Sequence, residues 1–264
     1  MKNHTIAIFL AAYLLFLAAH SGLGPSSRTD YEEPDYQFEE MTETVPGGSE
    51  SVRCSCQLMR LSVSNLERLS PEDTIAAERN LENFNSRMNS LLESCMGRAD
   101  QFMEEFADSR GGPYYDETSA SCTLTGQIIS VRLDNSSYTG GAHPNRYTES
   151  LLFDLDAGQF TDPVELTDNP ATFLEGTAEL LLEKAEAHPA YEFFWQDYTD
   201  LIARWNEGTV LFDSEGMEVL YSPYEIAPYA MGEVELRLSW EELAELIGPG
   251  GLARLGVELP VTVE

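Results

Sequence analysis

The order of apolar and polar positions divides the chain into a leader, a polar stretch and a body. Ile6 to Ala19 are uninterruptedly apolar, Gly24 to Ser51 are mostly polar, and from Cys54 onward short alternating runs exchange with runs of helical period. Cys54 to Ser64 alternate imperfectly and suit a strand. A long helix is predicted next. Ser70 caps it, Pro71 takes the first helical position and Asp73 completes a capping-box pattern. Leu81, Phe84, Met88, Leu91, Cys95, Phe102 and Phe106 form one apolar stripe, read as core packing, and Gly111 and Gly112 end the helix.

Ser119 to Leu133 and Tyr147 to Leu155 read as two strands separated by Ser136 to Arg146. Asn169 and Pro170 open a second helix running to Ala187, and an aromatic-rich helical region spans Tyr191 to Trp205. Strand-like runs follow at Thr209 to Phe212, Met217 to Tyr221 and Val234 to Leu238, and Ser239 with Glu242 opens a short last helix. The pattern predicts an α+β fold in one domain, a mainly antiparallel sheet with a long helix and further helices packed on it.

Residues 1–22 have the layout of a signal peptide, with one lysine before an apolar run of roughly 14 residues, short of the ~20 that span a bilayer. Cleavage near Ser21 or Gly22 is expected, an uncleaved anchor being the other route and the only membrane association. Export to the periplasm or the extracellular space follows. Residues 23–52, acidic and rich in Pro, Gly and Ser, read as a disordered linker, and 53–264 as the folded domain.

The net charge of -31, from 15 Lys and Arg against 46 Asp and Glu, excludes nucleic acid as a partner because such a surface repels phosphates. The excess either steers a basic partner onto the chain or serves solubility, including adaptation to a salty habitat. In an oxidising compartment Cys54, Cys56, Cys95 and Cys122 are disulfide candidates with three connectivities. A bond between Cys54 and Cys56 is unsuited to a strand, which leaves Cys95 and Cys122 as partners in two alternative pairings. Four reduced thiols are the other reading. The spacing fits no zinc pattern.

Chemistry-bearing motifs are sparse. Beyond the leader only His143 and His188 remain, no nucleophile elbow or phosphate-binding glycine loop occurs, and Asp154, Asp156 and Gly158 fit a strand-ending turn better than a calcium loop. No catalytic residue, cofactor or metal is expected. A hydrolase using paired carboxylates is the alternative, since such chemistry needs only two acids across a cleft. Two segments stand out as contact surfaces. In the first, Tyr138, Gly140, Gly141, His143 and Pro144 make a glycine-hinged loop, with His143 either a contact group or an anchor. In the second, Tyr221, Pro223, Tyr224, Pro228 and Tyr229 combine large rings with a stiffened backbone, for contact or for filling the core.

These two segments, with Ser150-Leu151-Leu152-Phe153-Asp154-Leu155 and Ser239-Trp240-Glu241-Glu242-Leu243, resemble the extracellular domain of RsiV-type anti-sigma factors, shared with the accessory region of PdaC-type peptidoglycan deacetylases. The resemblance runs from about Cys54 to Ile247 and is strongest after Tyr138. It implies an envelope binding domain for a basic envelope-active protein such as lysozyme, or for peptidoglycan. Five residues precede the apolar run and the sequence ends at Glu264, so neither a sigma-binding segment nor a deacetylase domain is expected.

Overall fold

The structure, a computed structural model, describes residues 31–45, 51–106 and 111–258. The expected leader and the first part of the linker lie outside them. The chain divides into two units, Met1–Glu33 and Pro34–Glu264, and the second holds all the architecture considered below.

Six strands form the larger sheet in the order of the chain: β1 (Tyr36–Val45), β2 (Val52–Val63), β3 (Tyr114–Thr125), β4 (Ile128–Tyr138), β5 (Asn145–Asp154) and β6 (Gln159–Thr161). Every pairing is antiparallel except β2 with β3. That parallel pair requires a crossover, which the long helix α1 (Pro71–Phe106) supplies. Ser70 caps α1 as expected, its Oγ accepting from Asp73 N at 3.1 Å. Phe84, Met88 and Cys95 of the predicted stripe are buried, with Leu58 and Leu61 of β2, Ile129, Val131 and Leu133 of β4, and Phe153 of β5 in the same core. The mixed α+β class is therefore as the pattern predicts.

The smaller antiparallel sheet, β7 (Thr209–Phe212), β8 (Gly216–Tyr221) and β9 (Val234–Ser239), carries a second core with helices α2 (Pro170–Ala187), α3 (Tyr198–Ile202) and α4 (Trp240–Arg254). Asn169 caps α2 and Ser239 with Glu242 forms the expected capping box of α4. Alternation along β4 and β5 sends Ile128 and Leu152 into this second core while Ile129 and Phe153 face α1. The edge of β7 is met by hydroxyls: Phe212 N donates to Ser130 Oγ at 2.9 Å and Val210 N to Ser150 Oγ at 2.8 Å.

Three expectations are corrected. The linker reading fails over Tyr36–Val45, which pairs with β2 along ten residues, Tyr36 opposite Val63 and Val45 opposite Cys54. Its acids sit on an edge strand, where charge discourages further pairing, so acidity there did not mean disorder. The single run from Ser119 to Leu133 is a hairpin, broken where Gly126 takes φ +58 between Thr125 and Gln127. The helical region from Tyr191 to Trp205 is only a one-turn helix, α3, flanked by short 3-10 turns. The Asp154 turn is as read: its Oδ1 accepts from Asp156 N and Ala157 N at 2.9 and 3.1 Å.

Candidate aromatic contact site

The glycine loop between β4 and β5 is shaped by backbone freedom. Gly140 and Gly141 hold φ of +98 and +111, angles that side-chain-bearing residues rarely adopt, and Gly141 O accepts from Tyr138 OH at 2.8 Å. The turn delivers His143, whose Nδ1 lies 3.0 Å from Pro144 O and whose Nε2 lies 3.1 Å from Tyr224 OH. The His143 ring also stacks on Tyr229, with centroids 3.7 Å apart and planes 16° apart. Two segments, His143 and Tyr224 being 81 positions apart in sequence, thus meet through one imidazole.

The second segment follows β8. Tyr224 takes φ +77, the one positive φ of a non-glycine residue among those described, yet its side chain stays 57% exposed. Burial therefore does not account for the strain of about 1–3 kcal/mol that such a backbone carries. Local bonds hold it instead. Tyr224 N donates to Ala227 O at 3.1 Å, Glu225 N to Ser222 O at 3.0 Å, and Ser222 N to the Glu225 carboxylate. Burial pushes the Glu225 carboxyl above its ordinary range. Ser222 Oγ accepts from Thr148 N at 3.0 Å, tying the segment to β5. Trp195, 38% exposed, donates from its indole to Tyr224 O at 3.4 Å and from its backbone to Ile226 O at 2.8 Å.

Beside this cluster lies a cavity of about 420 Å³, walled by Arg132, Asp134, Tyr147, Pro223, Tyr229 and Glu233 among others. Arg132 donates to Asp134 at 2.9 Å and to Glu233 at 2.8 Å, and Thr148 Oγ1 lies between the same two carboxylates, 3.1 and 2.6 Å away, with its single proton nearer Glu233. The acids are thereby positioned as a bridged pair.

Of the residues proposed from sequence, Tyr138, Gly140, Gly141, His143, Pro144, Tyr224 and Tyr229 come together in this cluster through the contacts above, and Pro223 walls the cavity. Tyr221 is corrected: it is 5% exposed and packs in the second core, because alternation along β8 turns it inward, and burial pushes its phenol above the ordinary range. Pro228 is half-buried and begins the 3-10 turn that carries Tyr229. His188 is committed locally, its Nδ1 facing Ala190 N at 3.0 Å and its ring stacked on Phe194. Trp195, Tyr147, Arg132, Asp134 and Glu233 were not anticipated. Trp195 sits in the aromatic-rich run read as helix, and the others lie in strands or a turn whose side-chain convergence only pairing reveals.

The cysteines need a second correction. The structure shows no bond between any two of the four, and the strand register puts Cys122 out of reach of Cys54 and Cys56. In the parallel register Cys54 faces Asp116 and Cys56 faces Thr118, so Cys122 is four residues farther along β3, roughly 13 Å at the rise of a strand. Both pairings expected from sequence used Cys122 with one of those two, and neither fits. Among the described residues no helix is long and apolar enough to cross a membrane.

A family model described as a protein of unknown function (DUF3298) matches residues 167–241, which span α2 to the start of α4 and include Tyr224 and Tyr229. No functionally curated protein matches the chain. Among solved structures, a DUF3298 family member from Bacteroides fragilis is similar at 16% identity and TM-score 0.57, over 84% of this chain and 96% of that one. A DUF3298 family protein from Pseudomonas aeruginosa aligns at 17% identity and TM-score 0.48, over 80% of this chain and 93% of that one. The first likeness establishes a shared fold.

Proposed function

We propose that this chain is an exported cell-envelope binding module that recognises a basic envelope-active protein, such as lysozyme, through the face formed by His143, Tyr224, Tyr229 and Trp195. The observation carrying the reading is Tyr224, an exposed ring held on a left-handed backbone with its hydroxyl on His143. A strained, solvent-facing aromatic fixed from three sides is organised in advance for contact, which lowers the entropy lost on binding. Tyrosine and tryptophan anchors of this kind carry much of the energy of protein interfaces. The net charge of -31 supports a basic partner, because it accelerates encounter and makes it sensitive to salt. The reading includes no catalytic step.

The test is a titration of the purified chain against lysozyme at low and high salt, beside Tyr224→Ala. Binding at low salt that weakens with salt, and at least tenfold with the substitution, is expected. Absence of binding at low salt removes the lysozyme reading.

The cavity favours a second reading, a peptidoglycan fragment seated between Tyr147 and Tyr229 with its hydroxyls on Asp134 and Glu233. Sugar sites combine ring faces with a few convergent polar groups in this way. Soluble peptidoglycan fragments that bind the wild type, and bind less well to Tyr147→Ala while ignoring Tyr224→Ala, would select it. Release of reducing sugar on incubation, lost in Glu233→Gln, would select the carboxylate hydrolase over both.

A further inference from the structure

The packing of α1 on β2 settles which cysteines can meet. Residues of β2 and α1 run past each other in opposite directions: Leu61 N donates to Asn85 Oδ1 at 2.8 Å, Asn85 Nδ2 returns to Leu61 O at 2.9 Å, and Cys54 Sγ donates to Ala99 O at 3.8 Å. Two residues along a strand advance about 6.6 Å and four along a helix about 6 Å. One step from the Cys54–Ala99 contact therefore sets Cys56 against Cys95. Both are buried, at 2% and 7% exposure, in the core between helix and sheet. Their neighbours Ala99 on the helix and Ala120 on β3 are small and buried.

We infer that Cys56 and Cys95 form a disulfide that staples α1 to β2, while Cys54 and Cys122 remain thiols. The two sulfurs interact directly, and that contact lowers the pKa of Cys95 while it and burial raise that of Cys56. Arg98 adds a cation, its Nη2 lying 3.4 Å from Cys95 Sγ and 3.2 Å from Thr118 Oγ1. Cys95 is thus the attacking thiolate and Cys56 the resolving thiol. With oxidised glutathione as the oxidant, Cys95 sulfur attacks one glutathione sulfur and expels the other as a thiolate. The Cys56 thiol then gives up its proton, attacks Cys95 sulfur and expels the second glutathione. Two protein thiols are oxidised, one glutathione disulfide is reduced to two thiols, and the two protons pass to them. Cys122, which burial pushes up to about 12, has no partner at bonding distance and stays reduced.

The experiment holds the folded, reduced full chain in oxidised glutathione until its free-thiol count is constant, then blocks remaining thiols and digests with trypsin without reduction. The expected product is one cross-link between the peptide Cys54–Arg60 and the peptide Met88–Arg98, two hydrogens lighter than the separate peptides. Because the first peptide carries two cysteines, Cys54→Ala and Cys56→Ala assign the bond: the former keeps the cross-link and the latter loses it. Thermal unfolding of the wild type should shift upward by roughly 8–15 °C on oxidation, as closing a loop of this length predicts. A cross-link through Cys54 or Cys122, or four thiols that persist in oxidised glutathione, overturns the inference. The wild-type peptide map decides between these outcomes even where a variant fails to fold.

Discussion

The His143 ring lies flat on the ring of Tyr229, their centroids 3.7 Å apart. The same imidazole reaches Tyr224 OH through Nε2, so stacking and hydrogen bonding act on different tyrosines and can be separated. His143→Phe keeps a ring on Tyr229 and removes the bonds to Tyr224 OH and Pro144 O. The expected loss of global stability is about 1–3 kcal/mol, the worth of two hydrogen bonds. The local effect is the more diagnostic, because Tyr224 N and Ala227 O close the turn that holds the ring outward. Hydrogen exchange at the Tyr224 amide should accelerate in the variant. Equal protection in variant and wild type would show that the histidine does not hold this turn.

A second prediction concerns the loop that delivers the histidine. A Cβ on Gly141 would meet no atom within 4 Å, so Gly141→Ala isolates the cost of its backbone angle from any clash. At φ +111 that cost is about 1–2 kcal/mol. Urea unfolding measures it. A change near zero would mean that the loop relaxes to another backbone and no longer fixes His143.

Local signals and long-range pairing explain what the sequence made legible. Caps and stripes depend on residues three or four apart, and Ser70, Asn169 and the Ser239–Glu242 box all act as the pattern predicts. The two contact segments were recognisable for the same reason, since paired glycines and clustered tyrosines are local features. Their meeting through His143 was not, because no local pattern states that residue 143 lies beside residue 224. Tyr36–Val45 was hidden by its acids, which suit an exposed edge as well as a disordered tether. Tyr221 was misplaced because its segment looked uniform, whereas alternation along β8 buries it and the turn beyond exposes Tyr224.

The contact between the two sheets gives a third prediction. Ser130 is buried near the start of β4, and its hydroxyl is the acceptor for Phe212 N on the edge of β7. Ser130→Ala leaves that backbone donor buried without a partner. A cost of about 1–3 kcal/mol is expected in urea unfolding. Ser150→Ala, at a half-buried position where water can replace the hydroxyl for Val210 N, should cost less. Equal costs would mean that burial of the acceptor is not what gives the bond its value.

The last prediction follows from Glu218, whose carboxyl is pushed up to about 7 by burial first and by its hydrogen bond with Glu235 second. Arg237 opposes this, donating to Glu218 at 3.2 Å, Glu235 at 3.1 Å and Asp213 at 2.7 Å, and Arg132 adds a weaker opposing charge. A carboxyl whose folded pKa exceeds its unfolded value binds its proton more tightly in the folded state. Its contribution is therefore fully present below the unfolded value of 4.5 and is lost as pH rises through about 7. Asp213 and Glu235 are lowered, so their own contributions run the other way and fade as acid protonates them. Glu218→Gln removes the raised group while keeping a hydrogen-bonding side chain. Urea midpoints for wild type and variant should converge near pH 4 and separate above pH 7, with the variant the more stable. A variant that is less stable at the higher pH would show that the bond from Arg237 outweighs the burial of the charge.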